Sequence, residues 1–255
     1  MDLGEFRDGG QTAKQIYFGG RLESIGAWLH LARTWVFANG GLEVDDVKKP
    51  TKLLYDMPQT LDALRFLQKL IVESKVMANS STTLNNAIGQ TNNIAAFTQG
   101  KLGMSSGWLS YLPQHTLTNS NVDLVPYPRG PGAGGRYTTD IGPWGLSIYA
   151  KSKHPDAAFR LIEFLTGYEG QRVMSGLSGA TSVWPFQITW LPENVTNPEI
   201  YADLLMAGTL RLVNRERQQL QSIIDSNLNS IWAGNTPVEI AVRQIMEQGP
   251  QFLEK

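Results

Sequence analysis

Within residues 142–174 the spacing of apolar side chains changes from every second residue to every third or fourth. Apolar and polar residues alternate over positions 146–151, a pattern typical of a half-buried strand. Pro155 and Asp156 then suit the first turn of a helix, and Gly167 suits its end. The apolar residues between them have helical spacing: Ala158, Leu161, Ile162 and Leu165. The sequence therefore predicts a strand, a turn and a helix in this order.

Further helices are predicted on both sides of this stretch. Residues 19–37 are apolar on nearly every helical face, which predicts a helix buried between layers. Asp56 and Pro58 open a second helical pattern. Near the C-terminus an apolar face is followed by Gly234, and residues 236–239 have the spacing of a capping box with proline at the first helical position. That apolar face comprises Leu220, Ile224, Leu228 and Ile231.

Two stretches without helical spacing separate these elements. Residues 101–108 are short, apolar and rich in glycine, as a buried strand that emerges at a site would be. Residues 126–135, with the sequence PYPRGPGAGG, form the densest run of proline and glycine and are predicted to be a linker.

Composition excludes several functional classes. The formal net charge of −1 supplies no basic field, so we expect no nucleic-acid partner. The absence of cysteine excludes disulfides, thiol nucleophiles and thiolate metal sites. Three scattered histidines without a carboxylate at ligand spacing predict no metal site, and no motif calls for a cofactor. The GPGAGG run lacks the strand and helix of a dinucleotide site.

Tryptophan is the residue type that points to a ligand. Several of the seven tryptophans and eight tyrosines lie beside glycine or proline rather than within helical patterns. The flat C–H faces of sugars stack on such rings, and their hydroxyls bond to planar polar side chains. A tryptophan taken alone is more readily explained as part of the core or of an interface between lobes.

Four segments together resemble one protein family. Residues 152–171 (SKHPDAAFRLIEFLTGYEGQ), 96–108 (AFTQGKLGMSSGW), 125–130 (VPYPRG) and 35–41 (WVFANGG) are similar, in the same order, to segments of the extracellular solute-binding proteins of ABC importers, family 1. This sugar-binding group includes maltose-binding protein. Four such segments in register are hard to obtain by chance.

The resemblance implies an α/β, periplasmic-binding-protein-like type II fold that is incomplete, mostly the C-terminal lobe. On this reading residues 1–125 form the first part of the C-terminal lobe and residues 126–138 the hinge. Residues 139–182 would return to the N-terminal lobe, and residues 183–255 would form the helical end of the C-terminal lobe. We expect the chain to be a fragment that lacks most of the first lobe.

The resemblance also implies a function. The chain would belong to the solute-binding component of an ABC importer, which binds a neutral sugar or oligosaccharide by aromatic stacking and lobe closure, without catalysis. Its partners would be the sugar and the membrane permease subunits, and we expect a monomer. The location would be extracellular or periplasmic, with a signal peptide or lipoprotein anchor in the full-length protein.

The predicted ligand-binding residues are Trp108, Trp144, Tyr111 and Arg215. Trp108 matches the position where the family commonly places a sugar-stacking aromatic, and Trp144 a position that faces the cleft. Tyr111 is a weaker candidate, and Arg215 resembles the polar contacts of the second lobe only loosely. Two other classes stay open: a carbohydrate-active enzyme module, for which no paired acids are evident, and a helical interaction scaffold.

Overall fold

The computed structural model describes residues 17–18, 21–22, 25–28, 32–107, 124–132, 134–142, 145–178, 195, 197, 199–212 and 217–253. The chain divides into two compact units. Unit 1 comprises Met1–Gly107, Pro126–Ile141 and Ala207–Lys255, and unit 2 comprises Trp108–Val125 and Gly142–Met206.

A three-stranded parallel sheet organises the first part of unit 1. After a hairpin of β1 (Tyr17–Phe18) and β2 (Arg21–Leu22), strand β3 (Ile25–Trp28) lies between β4 (Met77–Ala78) and β5 (Leu102–Ser105). Ala27 pairs with both Met77 and Met104. The strand predicted within residues 101–108 is confirmed.

The single helix predicted for residues 19–37 is wrong in its first part. Strands occupy positions 21–22 and 25–28, and helix α1 (Ala32–Ala38) begins only after them. A central parallel strand is covered on both faces and is therefore apolar on all sides, as a buried helix is. Only the pairing with β4 and β5 shows that residues 25–28 form a strand rather than a helix.

Helices α1 and α2 build the main core. All seven residues of α1 are buried, and Gly40 ends the segment with φ of 84°. Helix α2 (Pro58–Gln68) begins at Pro58, as predicted, and continues into a π-helical turn, Lys69–Glu73. Its buried side includes Thr60, Ala63, Leu64 and Leu67.

Two short helices cover a second, smaller core beside the sheet. Helices α3 (Ser81–Ile88) and α4 (Asn93–Thr98) are capped by the side chains of Ser80 and Asn92. The smaller core consists of Ala78, Leu84, Ile88, Ala96 and Leu102.

The C-terminal helices complete the main core. Helix α8 (Arg217–Trp232) buries the predicted apolar face, and helix α9 (Val238–Gln248) precedes a short 3-10 turn, Pro250–Phe252. The predicted capping box is wrong. Pro237 is the N-cap of α9 and has no side-chain cap, and Thr236 hydrogen-bonds to Ser230 instead.

Strands β6 (Asp140–Ile141) and β7 (Thr209–Leu210) pair in parallel within unit 1. Unit 2 contains α5 (Pro155–Thr166), α6 (Tyr168–Ser178) and α7 (Ile200–Met206). The predicted helix at α5 is confirmed, although none of its residues is buried. The predicted strand at 146–150 is wrong, because no strand is present there among the described residues. Alternation alone supplies no partner for the hydrogen bonds of a strand.

Candidate functional site

The carboxyl ends of the parallel strands define the candidate site. Because β3, β4 and β5 run in the same direction, their carboxyl ends meet at one edge, where ligands of open α/β sheets bind. Helix α1 follows β3, Asn79 and Ser80 follow β4, and Ser106 follows β5. This group of segments is called the carboxyl edge below.

Tyr127 joins the carboxyl edge from a distant part of the chain. The side chains of Thr34 and Ser106 lie close enough to its hydroxyl for hydrogen bonding. Its ring meets the indole of Trp35 edge to face, with centroids 5.7 Å apart and an interplanar angle of 90°. Three hydroxyl groups from three segments are thereby brought together, and Tyr127 itself is half-buried.

The electrostatics of Tyr127 keep its phenol neutral. Burial of the hydroxyl raises the pKa of Tyr127 to about 12, and the carboxylate of Asp140 acts in the same direction. The hydrogen bonds from Ser106 and Thr34 act against this shift. At neutral pH the hydroxyl is uncharged, as that of any tyrosine is, and can donate and accept hydrogen bonds.

The polar groups after β4 are occupied by local bonds. The amide nitrogens of Asn79 and Ser80 donate to Thr83 Oγ1 at 3.1 and 3.0 Å, and Thr83 N donates to Ser80 Oγ at 3.2 Å. At the end of β5, in contrast, the buried Oγ of Ser105 has no hydrogen-bond partner within the described part of the chain. Free hydrogen-bonding capacity is thus found on the β5 side.

A buried ion pair involves Arg33, the residue of α1 that precedes Thr34. Arg33 Nε lies 3.6 Å from Glu43 Oε1, and both side chains are buried. The Tyr55 hydroxyl donates to the same Glu43 oxygen at 2.8 Å. The Arg33 guanidinium also donates to Gln221 Oε1.

The four residues predicted to bind the ligand, Trp108, Trp144, Tyr111 and Arg215, lie outside the described residues, so each stays a prediction. Arg136, at the end of the glycine-rich run, is exposed and donates to the Phe37 carbonyl at 3.4 Å. The sequence interpretation missed Thr34, Ser106 and Tyr127. Ser106 and Tyr127 lie inside two of the quoted family segments, but nothing in the sequence indicates that they meet.

Neither a metal site nor a membrane span is found in the parts that the structure describes. No group of three His, Asp or Glu side chains there could hold a metal ion. No helix there is both long and apolar enough to cross a bilayer.

Comparison with protein families identifies the chain. The model of the bacterial extracellular solute-binding protein family matches residues 7–172, more than half of the sequence. The chain belongs to this family. No curated protein sequence matches it.

Solved structures agree with this solute-binding-protein fold. The chain is 18% identical to maltose-bound MalE3 of T. maritima, with a TM-score of 0.74 over 98% of this chain and 65% of the other. The chain is 15% identical to the substrate-binding protein Lmo0181 from Listeria monocytogenes, in complex with cycloalternan. The TM-score is 0.75 over 96% of this chain and 63% of the other. The chain is 18% identical to MalE from Bdellovibrio bacteriovorus, bound to maltotriose, with a TM-score of 0.72 over 98% of this chain and 66% of the other.

These likenesses establish the periplasmic-binding-protein-like α/β fold, as expected from the sequence. The chain spans 63 to 66% of the length of the three structures. The boundaries expected at residues 126–138, 139–182 and 183–255 remain predictions.

Proposed function

We propose that this chain is part of the solute-binding component of an ABC importer and binds a neutral sugar or oligosaccharide without catalysis. The observation that carries the proposal is the cluster of uncharged hydroxyls, Thr34, Ser106 and Tyr127, at the carboxyl edge of a family member's sheet. Relatives of the same fold have maltose and maltotriose bound.

The chemistry of the carboxyl edge supports a neutral solute. Hydroxyls donate and accept hydrogen bonds without charge, as sugar hydroxyls do. The charge that acts on the Tyr127 hydroxyl is the carboxylate of Asp140, which disfavours a second negative charge there.

Aromatic side chains would supply the stacking surface. Trp108 follows Ser106 by two residues in the sequence and is the first candidate, with Trp144 and Tyr111 as further ones. Arg215 would contribute a polar contact.

Transport would follow from a population shift rather than from chemistry. The sugar stabilises a closed form only as far as it contacts both lobes, and the permease subunits would recognise that form. The protein would act outside the cytoplasm, in the periplasm or at the cell surface, as a monomer, with a signal peptide or lipoprotein anchor on the full-length protein.

The test is a titration of the chain with maltose, maltotriose and glucose 1-phosphate. Calorimetry and tryptophan fluorescence report binding, and ligand-observed NMR extends the range to weak affinities. Trp108→Ala and Trp144→Ala are compared with Trp232→Phe, a control in the buried face of α8.

The proposal predicts a saturable signal with a neutral sugar that is weakened in Trp108→Ala and kept in Trp232→Phe. No signal with either sugar from a folded chain would contradict it. Hydrolysis of a nitrophenyl glycoside by the chain would instead favour the enzyme class.

A further inference from the structure

Arg33 lies at the start of α1 and is held by partners from two other segments. Its guanidinium pairs with Glu43, in the loop after α1, and donates to Gln221 on α8. Tyr55 donates to Glu43 from the segment before α2, and Gln221 Nε2 donates to Asp225 Oδ1 at 2.7 Å. These residues, Arg33, Glu43, Tyr55 and Gln221, are called the Arg33 cluster below.

Burying the charged groups of the Arg33 cluster in a core carries a desolvation penalty. Moving two charges out of water is unfavourable, and an apolar replacement of similar volume is often as stable. Burial opposes the charge of Arg33, but Glu43 and the other nearby acidic groups outweigh it, so the pKa of Arg33 is raised. The cluster therefore holds a fixed charge in one orientation, as a positioning device does.

Because helix α1 is short, the contacts at its two ends determine the direction of its axis. It has seven residues, and its C-terminal end is anchored by Asn39, whose Nδ2 donates to the Gln59 carbonyl at 2.7 Å. At the N-terminal end, the bonds of Arg33 tie the first turn to α8 and to the loop that contains Glu43. The next residue, Thr34, carries the hydroxyl that meets Tyr127.

We propose that Arg33 is a positioning residue for the ligand site: its bonds to Glu43 and Gln221 orient the first turn of α1 and hold Thr34 against Tyr127. The consequence for sugar affinity rests on the proposed function. The arrangement of Thr34, Tyr127 and Ser106 does not depend on it and is measurable without any sugar.

The test uses NMR of the chain labelled with 13C at tyrosine Cζ, a nucleus that senses hydrogen bonds to the phenol oxygen. The Tyr127 signal is assigned by its loss in Tyr127→Phe. Thr34→Val gives the signal position when the Thr34 bond is absent. The test variants are Arg33→Met, which removes the charge, and Arg33→Lys, which keeps it. Arg65→Met is the matched control, because Arg65 pairs with Asp62 and Glu239 on the surface.

The proposal predicts that Arg33→Met moves the Tyr127 signal toward its position in Thr34→Val, and that Arg33→Lys restores part of the difference. Arg65→Met leaves the signal in place. Combining Arg33→Met with Thr34→Val should add no further shift, because both changes break the same contact. An unmoved Tyr127 signal in folded Arg33→Met would overturn the inference.

If Arg33→Met does not fold, Gln221→Met carries the same test, since it removes one bond of Arg33 and keeps the ion pair. Its Tyr127 signal is expected to shift in the same direction by a smaller amount, and no shift would contradict the proposal. Sugar affinity in Arg33→Met should fall by up to about tenfold, the effect of one misplaced hydrogen bond. Sugar binding with an unmoved Tyr127 signal contradicts the Arg33 inference alone, whereas a moved signal without sugar binding contradicts the proposed function alone.

Discussion

Gly40 lies so close to the backbone of Gly134 that no side chain fits at Gly40, whereas a Cβ atom on Gly134 would meet the Gly40 Cα at an ordinary 3.5 Å. A Cβ atom on Gly40 would lie 2.5 Å from the Gly134 carbonyl oxygen, and Gly40 has φ of 84°. This contact joins the end of α1 to the segment that carries Tyr127.

Gly40→Ala should therefore destabilise the chain by more than the strain of a positive φ alone. Gly100→Ala is the matched control, because Gly100 has φ of 71° and nothing within 4 Å of an added Cβ. We expect about 1 kcal/mol for the control and clearly more for Gly40→Ala. Urea denaturation measures both, and equal losses would mean that the contact with Gly134 relaxes freely.

Leu64→Ala should lower the free energy of unfolding by about 2–5 kcal/mol, because Leu64 is fully buried in α2 and leaves a cavity. Leu161→Ala in α5 is the control, since Leu161 is 57% exposed. Its effect should stay below about 0.5 kcal/mol. A large loss for Leu161→Ala would show that α5 is covered in solution.

Glu43→Gln and Glu239→Gln should lower the free energy of unfolding by very different amounts, although each removes a charge paired with an arginine. Glu43 is buried, so its loss leaves Arg33 unpaired and should cost about 3 kcal/mol. Glu239 and Arg65 are half-exposed at 2.7 Å, and solvent screening limits the loss to under about 1 kcal/mol. Thermal unfolding at low and high salt checks both values. Only the small Glu239 effect should shrink with salt.

Stability should fall above pH 10, and Tyr127 should account for part of the fall. The unfolded phenol ionises near pH 10, whereas the folded pKa of Tyr127 is about 12. Between these values only the unfolded state loses the proton, so stability decreases by up to about 1.4 kcal/mol per pH unit. Tyr127→Phe should flatten this decrease, as measured by urea denaturation at several pH values.

Several helices followed from the spacing of apolar residues in the sequence, whether or not the structure buries that face. Spacing alone predicted α2, α5 and the buried face of α8, because helical hydrogen bonds join residues four apart and need no distant partner. The same spacing predicted a helix where β3 lies, since an apolar run serves a central strand equally well. Its neighbours β4 and β5 come about 50 and 75 residues later in the chain.

The family was readable from four local segments and is confirmed by the family match. The candidate site could be predicted from the sequence only in part. Ser106 and Tyr127 stand in the quoted segments, but their contact with Thr34 joins three stretches that are distant in sequence.

The sequence by itself determined α2, α5 and the buried face of α8, because helical spacing depends on neighbours within a few positions, and four segments in register indicated the family. Only the tertiary structure decided that Thr34, Ser106 and Tyr127 meet and that Arg33 is buried against Glu43 and Gln221. Such contacts depend on how β3 pairs and how α1 packs against α8, and no local spacing encodes either arrangement.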